Sequence, residues 1–112
     1  KWGGIKLGIN LIPDIFQSKL RIAIIASLMT GEKTFTELKE ITGATDGNLS
    51  IHSSKLEESG YIEIYKDFFN KKPRTRYNLT AKGKEDFTNY VNALDNILKL
   101  YSDKNEKWES LF

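Results

Sequence analysis

The sequence contains no cysteine, and this absence excludes disulfide bonds, thiol redox switches and thiolate metal sites. It contains one histidine, His52, so it offers no set of imidazole ligands for a metal ion. No apolar run reaches the length of a transmembrane helix, and the first residues lack the apolar core of a signal peptide. We therefore expect a cytoplasmic protein that holds no metal and no cofactor.

Recognisable catalytic motifs are also missing. The chain has no glycine-rich phosphate loop after a strand, no nucleophile with a histidine partner and no paired carboxylates in a known motif. Its 112 residues, 39% of them hydrophobic and 12% aromatic, suffice for one domain with a modest core. This composition predicts a folded protein, and the missing motifs favour a binding protein over an enzyme.

The net charge of +2 conceals an uneven distribution. Residues 66–84 carry seven basic groups and one acidic group, a net charge of +6. Residues 32–63 sum to −4 and residues 85–112 to −3, so acidic segments flank the basic one. A compact cationic segment is typical of a surface that binds a polyanion. The same charges also fit the solvated tip of a hairpin, and charge alone does not separate the two interpretations.

Residues 45–60 predict one amphipathic helix. Thr45 can cap its start, Asp46 suits the positive end of the helix dipole, and Gly60 can end it in the left-handed conformation. The face predicted to be buried holds Leu49, Ser53 and Leu56, with His52 at its edge. The opposite face holds Asn48, Ile51, Ser54 and Lys55. An ordinary solvated face would carry more Glu and Lys, so this face is predicted to lie against a partner.

Residues 1–13 allow two interpretations. Apolar residues alternate with lysine, glycine and asparagine from Ile5 to Leu11, which is the period of a strand. Ile5, Ile9 and Ile12 can instead form one stripe of a helix. We expect an extended arm that lies on a neighbouring surface or subunit.

Two helices precede the central one. Ser18 can cap an apolar helix over residues 20–29, which we expect to be covered on most sides. Residues 33–35 can form a minimal strand, and Thr36 is predicted to cap a short helix over residues 37–42. A glycine-containing turn then leads into the central helix, which is the arrangement of a helix-turn-helix.

Residues 61–66 and 74–79 alternate between apolar and polar side chains and predict the two strands of a hairpin. The seven residues between them are too many for a two-residue turn, so an extended basic tip is expected. Phe68 and Phe69 are interpreted as the hydrophobic footing of the hairpin rather than as platforms on which bases stack.

Thr80 is predicted to cap a last helix that starts at Ala81. An a/d heptad pattern runs along this helix through Phe87, Val91, Leu94, Leu98, Tyr101, Asn105, Trp108 and Phe112. An Asn at an a position favours one register in a two-stranded coil, and the stripe is about 40 Å long. We therefore expect dimerisation through Val91, Leu94, Leu98, Tyr101, Asn105 and Trp108. The alternative is a helix that folds back on its own core.

Two segments carry a resemblance to a known family. One is LSIHSSKLEESGYI at residues 49–62, and the other is KKPRTRYNLTAKG at residues 71–83. They resemble the recognition helix and the wing of bacterial and archaeal winged helix-turn-helix regulators of the MarR and ArsR type. The resemblance covers about residues 18–92.

This resemblance implies a mainly α fold with a small β-hairpin: a three-helix core, a two-stranded wing, a minimal third strand and a long C-terminal dimerisation helix. It implies a homodimeric, sequence-specific transcriptional regulator that binds double-stranded DNA, and we expect it to be a repressor. The recognition helix, residues 45–59, is expected in the major groove and the basic wing, residues 66–76, on the minor groove. The whole chain is then one domain, with an arm at 1–13, a core at 18–80 and a final helix at 81–112.

The sequence departs from the family pattern at two positions. Ser53 stands where such proteins usually have leucine, so the core beneath the helix is expected to be thinner or to be filled from elsewhere. Ile51 stands where they often have arginine or another polar residue. In place of a guanine contact, a methyl-rich side chain can meet the methyl group of thymine.

The candidate DNA contacts are Thr45, Asn48, Ser50, Ile51, Ser54, Lys55, Lys71, Lys72, Arg74 and Arg76. Asn48 can pair with N6 and N7 of adenine, and Lys55 can contact a phosphate. Thr45 and Ser50 can donate to phosphates, although Thr45 can also serve only as the cap. The two tip lysines suit phosphates, and the two arginines suit a narrow minor groove. His52 is interpreted as a packed residue at the helix edge rather than as a base contact.

A rival interpretation is a winged-helix module that docks proteins and does not bind DNA directly. A docking module is expected to expose an apolar patch on the recognition face, whereas a localised basic wing favours DNA. The sequence does not identify an operator, the regulated genes or a small-molecule effector.

Overall fold

A computed structural model of the chain describes residues 14–104, with side chains through Leu100. After a 3-10 turn at Asp14–Gln17, the elements are α1 (Lys19–Leu28), β1 (Lys33–Thr34), α2 (Phe35–Thr42), α3 (Asp46–Glu58), β2 (Ile62–Phe69), β3 (Lys72–Leu79) and α4 (Ala81–Lys104). The strands form an antiparallel sheet in the order β1-β3-β2. This architecture confirms the predicted fold class. The arm predicted at residues 1–13 lies outside the described residues.

One hydrophobic core lies where the first three helices meet the sheet. Its buried apolar side chains are Phe16, Ile24, Ile25, Leu28, Leu38, Leu49, Leu56, Tyr61, Ile62 and Tyr77. Helix α1 is apolar nearly all round and contacts α2, α3, α4 and β3. It is therefore the element on which the others pack, as its composition predicts.

An aromatic cluster joins α4 to the start of the domain. The Phe16 ring stacks on Tyr61 and Tyr90, with centroids 5.5 and 4.9 Å apart, and meets the Phe87 ring edge-on at 6.0 Å. Burial, together with a hydrogen bond to Asp86, raises the pKa of Tyr61 to about 12. Phe87 heads the predicted heptad stripe, and this contact shows that the stripe begins within the domain itself.

Helix α2 begins earlier than predicted, and its cap is Thr34 rather than Thr36. The Thr34 hydroxyl accepts a hydrogen bond from the backbone N–H of Glu37 at 3.2 Å. The Glu37 carboxylate accepts one from the N–H of Thr34 at 2.9 Å. This reciprocal capping box requires Glu or Gln three residues after the cap, and only Thr34 of the two threonines has one.

The hairpin tip also differs from the prediction. Strands β2 and β3 extend until Phe69 pairs with Lys72, which leaves a two-residue turn of Asn70 and Lys71. Both turn residues have positive φ angles, +52° and +64°. A turn with two left-handed residues matches the right-handed twist of the strands, so the hairpin needs no extended tip.

The longer strands change the interpretation of the two phenylalanines beside the turn. Phe68 is 74% exposed and Phe69 is 56% exposed, so they are not the footing of the hairpin. The strands extend beyond Ile62 and Tyr77, the buried residues of the hairpin. Near the turn, Phe69 lines an open cleft with Thr34 and Phe35, and neither phenylalanine belongs to the core.

The start of α4 is locked to the end of α3 through Thr80 and Gly83. The Thr80 hydroxyl accepts a hydrogen bond from the N–H of Gly83 at 3.0 Å, which confirms Thr80 as the cap. The same hydroxyl lies 2.7 Å from the carbonyl oxygen of Gly60, to which it can donate. A Cβ placed on Gly83 would overlap the carbonyl of Tyr61 and lie 2.8 Å from a Leu79 methyl group. This close approach requires glycine at position 83.

We predict that Gly83→Ala lowers the free energy of unfolding by about 1–3 kcal/mol or more, because the added methyl group must displace backbone. Urea denaturation at neutral pH measures the change.

Gly47→Ala is the matched control, since a Cβ at Gly47 meets nothing within 4 Å. This change should leave stability equal or raise it by up to about 1 kcal/mol, because alanine has the better helix propensity. Equal denaturation midpoints for Gly83→Ala and the wild type would contradict the proposed close approach.

Candidate nucleic-acid interface

Helix α3 is built as its sequence predicts. The Thr45 hydroxyl accepts from the N–H of Asn48 at 3.2 Å, and Asp46 occupies the first turn. At the other end Gly60 adopts φ +78°, and the N–H of Tyr61 bonds to the carbonyl of Leu56 at 3.0 Å. These local contacts fix both ends of the helix and therefore fix which of its faces is buried.

The predicted contact residues of α3 share its exposed face. Those residues are Thr45, Asn48, Ser50, Ile51, Ser54 and Lys55. The only large apolar side chain among them is Ile51, which is 58% exposed. Acidic groups occur only toward the helix ends, and Asp46 is paired with Lys39 at 2.7 Å. The middle of this face is consequently polar, free of negative charge and open to a partner.

The buried face of α3 is confirmed as Leu49, Ser53 and Leu56. Ser53 is 2% exposed, and its hydroxyl donates to the carbonyl of Ser50 at 3.2 Å. Tyr77 of β3 is also buried and hydrogen-bonds Ser53; burial raises the pKa of Tyr77, and this bond partly offsets the rise. Ser53 and Tyr77 both line a cleft between the helix and the sheet, so the tyrosine lies beside the space that a leucine at position 53 would occupy.

His52 lies at the helix edge and is packed as predicted. Its Nδ1 lies 3.2 Å from Nη1 of Arg21, and Nε of Arg21 donates to the carbonyl of Ile15 at 2.7 Å. Arg21 thus connects α3 to the turn that precedes α1. Sequence reasoning did not single out Arg21, because 31 residues separate it from its histidine partner.

Two residues of the wing lie against α3 although they are not among the DNA contacts predicted from the sequence. Lys66 of β2 and Thr75 of β3 pair across the hairpin. With Ser50 and Ser54 they line a cleft of about 170 Å³ between the helix and the sheet. Strand alternation from Ile62 and Ile64 could have placed Lys66 on this face.

The wing arginines lie on the other face of the sheet and are held by carboxylates. Arg74 donates to both oxygens of Asp67, through Nε and Nη2 at 3.0 Å each. Arg76 donates to Asp67 at 3.1 Å and to Glu32 at 2.9 Å. The hydrogen bond from Arg74, followed by the two positive charges, lowers the pKa of Asp67. Much of the arginine charge is thus matched within the domain.

The lysines of the wing, unlike its two arginines, are not held by carboxylates of the described residues. Lys66, Lys71 and Lys72 are exposed, and none forms an ion pair with another residue in the range 14–100. Lys71 and Lys72 lie at the turn, as predicted for the basic tip. The positive charge available to an outside partner is therefore carried by lysines on the helix side and tip of the wing.

The exposed stripe of α4 begins after the aromatic cluster. Val91, Leu94 and Leu98 are 44%, 46% and 49% exposed, whereas Tyr90 and Ile97 are half-buried. The side chain of Tyr101 lies outside the described part of the chain, as do Asn105 and Trp108. The described part of the predicted dimer seam is available to a partner.

Three helices, a short first strand, a two-stranded wing and an exposed polar helix face define a winged helix-turn-helix protein. A family model described as a winged helix DNA-binding domain matches residues 20–98. The chain belongs to this family.

The chain is also similar to individual proteins of known sequence or structure. An uncharacterised protein of Methanocaldococcus jannaschii is 41% identical over 78 residues, covering 69% of this chain and 85% of the relative. A MarR-family regulator from Enterococcus faecalis has a TM-score of 0.70 at 23% identity, covering 89% of this chain and 90% of that one. The repressor BigR from Xylella fastidiosa has a TM-score of 0.60 at 26% identity, covering 74% and 78%.

One structural neighbour was solved with DNA. Bacillus subtilis PadR in complex with operator DNA has a TM-score of 0.60 at 20% identity. The match covers 66% of this chain and 48% of PadR. The resemblance to MarR-type and ArsR-like regulators predicted from sequence is confirmed at the level of fold.

Within residues 14–104, no helix is both long enough and apolar enough to cross a membrane. In the same part of the chain, no three acidic or histidine side chains are grouped so that they could hold a metal ion.

We predict a pH-dependent role for Asp67. Its pKa is lowered in the folded state, so its ion pairs stabilise the fold above the pKa of the unfolded carboxyl, about 3.9. That contribution is lost as the pH falls through the lower, folded-state pKa. Asp67→Asn should therefore be less stable than the wild type at pH 7, and the difference should shrink as the solution is acidified below about pH 4.

Urea denaturation of the wild type and of Asp67→Asn across this pH range measures the difference in their free energies of unfolding. The other carboxyl groups titrate in both proteins, so their contributions cancel in this difference. Asp95→Asn is the control, because Asp95 forms only an exposed pair with Lys99 at 3.0 Å on α4. A stability difference for Asp67→Asn that stays constant down to strongly acidic pH would contradict the predicted role of the ion pairs.

Proposed function

We propose that this protein is a homodimeric, sequence-specific transcriptional regulator, and specifically a repressor, that acts in the cytoplasm on double-stranded DNA. Residues 45–59 enter the major groove, and the wing at 66–76 lies on the minor groove. One observation supports this most strongly: the exposed face of α3, whose middle carries no acidic side chain, lies beside a wing whose lysines form no ion pair within the described part of the chain.

The helix face has the chemistry of a DNA reader. Asn48 makes no side-chain hydrogen bond to another described residue, so its carboxamide is free to pair with both N6 and N7 of adenine. The exposed Ile51 side chain suits a thymine methyl group. Thr45, Ser50, Ser54 and Lys55 surround these two positions and suit phosphates, which would fix the register of the helix.

The wing is proposed to act mainly through its lysines. Lys71 and Lys72 at the turn suit phosphates beside the minor groove, and Lys66 suits a phosphate near the cleft beside α3. Arg74 and Arg76 contribute less directly, because each must exchange a carboxylate of Asp67 or Glu32 for a DNA group. Several regulators share this fold, and PadR is one that was crystallised with operator DNA.

The docking alternative and an enzymatic function have less support. A docking module is expected to present an apolar patch on α3, yet Ile51 is the only large apolar residue exposed there. The fold is that of DNA-binding regulators, whose function is to bind rather than to catalyse. We therefore propose a DNA-binding protein with no enzymatic activity.

A dimer places two recognition helices on two half-sites. The exposed stripe of Val91, Leu94 and Leu98 is the surface proposed for the second copy, and it would continue through Tyr101, Asn105 and Trp108. The single-domain division into arm, core and final helix belongs to the same proposal.

The first test separates reading from anchoring, using a duplex selected by the protein from random DNA and a scrambled duplex. Asn48→Ala should weaken binding to the selected duplex by about 1–3 kcal/mol and leave the scrambled one nearly unchanged. Replacing Lys71 and Lys72 with alanine should weaken both and reduce the salt slope by about 0.9 per lost phosphate contact.

Lys99→Ala is the control for lost charge, because Lys99 is an exposed lysine on α4, away from the wing. The affinity of the Lys99→Ala variant for DNA should match that of the wild type at every salt concentration. Unchanged affinities and slopes after removal of both wing lysines would favour the solvated hairpin and the docking module.

The second test concerns the dimer. Leu94→Glu places a charge in the proposed seam and should give a monomer in sedimentation equilibrium at micromolar concentration. Loss of the second half-site should also weaken DNA binding strongly, because linked sites gain from effective concentration. The control is Asn92→Glu, an exposed polar position outside the stripe. A wild-type chain of monomeric mass would rule out the proposed dimer.

A further inference from the structure

The two phenylalanines at the wing tip are neighbours in sequence but lie on opposite faces of the hairpin. Side chains alternate along a strand, so Phe68 shares a face with Ile62, Ile64 and Lys66. Ile64 and Lys66 lie beside the serines of α3. Phe68 is therefore the outermost residue on the wing face that packs against the recognition helix.

The ring of Phe69 stacks with a cationic group of the domain, whereas the ring of Phe68 has no stacking partner among the described residues. The guanidinium of Arg74 lies 4.7 Å from the centroid of the Phe69 ring, on the face that holds Asp67. Within residues 14–100, no aromatic ring or cationic group stacks on Phe68. At 74% exposure, Phe68 is also the most exposed large hydrophobic side chain described.

The surroundings of Phe68 indicate the chemistry of its partner. Pro73 pairs with it across the hairpin, Lys66 lies two residues before it on the same face of β2, and Lys71 lies in the turn. An apolar ring with a lysine on either side, Lys66 and Lys71, complements a groove that has anionic edges and an apolar floor of sugars and base edges. The minor groove of DNA has this character, and apolar side chains are known to enter it between base steps.

We propose that Phe68 enters the minor groove and partly unstacks a base step, which makes binding sensitive to the deformability of the DNA flanking the helix site. This inference rests on the proposed DNA-binding function and adds a selectivity that α3 cannot supply. Flexible pyrimidine–purine steps such as TA unstack easily, whereas A-tracts are stiff. A TA step under the wing should therefore be preferred.

The experiment uses the full chain and a duplex selected from random DNA, made in two versions with either a TA step or an A-tract in each flank. The wild type should bind the TA version several-fold more tightly. Phe68→Ala should lose about tenfold in affinity on the TA version, the effect expected for one aromatic side chain, and should lose the preference. Phe69→Ala, on the opposite face, should keep the preference.

A fluorescent 2-aminopurine placed at the TA step gives a direct readout of unstacking. Its emission should rise when the wild type or Phe69→Ala binds and should stay low with Phe68→Ala. Thermal melting of the free proteins checks that both variants are folded, which is expected because neither residue belongs to the core.

The outcomes separate the two proposals. If the wild type binds none of the selected or random duplexes, the DNA-binding function falls and this inference falls with it. If the wild type binds but Phe68→Ala has the same affinity, preference and 2-aminopurine signal, only the role of Phe68 is overturned. The exposed ring would then be assigned to a protein partner.

Discussion

The position of α3 depends on its buried face, which packs against α1 and β2 and meets Tyr77 of β3 at Ser53. Both Ser53 and Tyr77 are buried, and the Ser53 hydroxyl partly offsets the rise that burial causes in the pKa of Tyr77. Leu49 and Leu56 complete the buried face on either side along the helix. Because β2 and Tyr77 both belong to the hairpin, the contact that seats the helix also sets its distance from the wing. A helix and a hairpin that bind one ligand together must keep a fixed spacing, and this contact provides it.

Charge in the wing is divided between its two faces. On the face away from α3, Asp67 and Glu32 hold Arg74 and Arg76, and these pairs connect β2 and β3 with the residue before β1. On the side toward α3 and at the turn, lysines form no ion pair within the described residues. Arginine suits the first role, because its planar group can bind a carboxylate with two parallel hydrogen bonds. Lysine suits the second, since a single mobile charge can follow a phosphate backbone.

Local chemistry explains which parts of the fold could be predicted from the sequence. Thr45 and Gly60 mark the ends of α3 because capping depends on residues within one turn. The start of α2 was open to the same reasoning, since Thr34 has Glu37 three residues later and Thr36 has no such partner. The turn at Asn70 and Lys71 contains no glycine, and it became visible only through the cross-strand register. The pairing of Arg76 with Glu32 spans 44 residues, a separation that sequence periodicity does not report.

The turn of the wing keeps a lysine at a position where the backbone favours glycine. Lys71 adopts φ +64°, a conformation that glycine accepts freely and that is unfavourable by about 1–2 kcal/mol for residues with a side chain. A glycine there would relax the turn but would remove a positive charge from the point of the wing farthest from the core. The hairpin thus gives up some stability to keep a lysine at its tip. Selection for stability alone would replace Lys71 with glycine. That replacement would remove a positive charge where an anionic partner is proposed to bind.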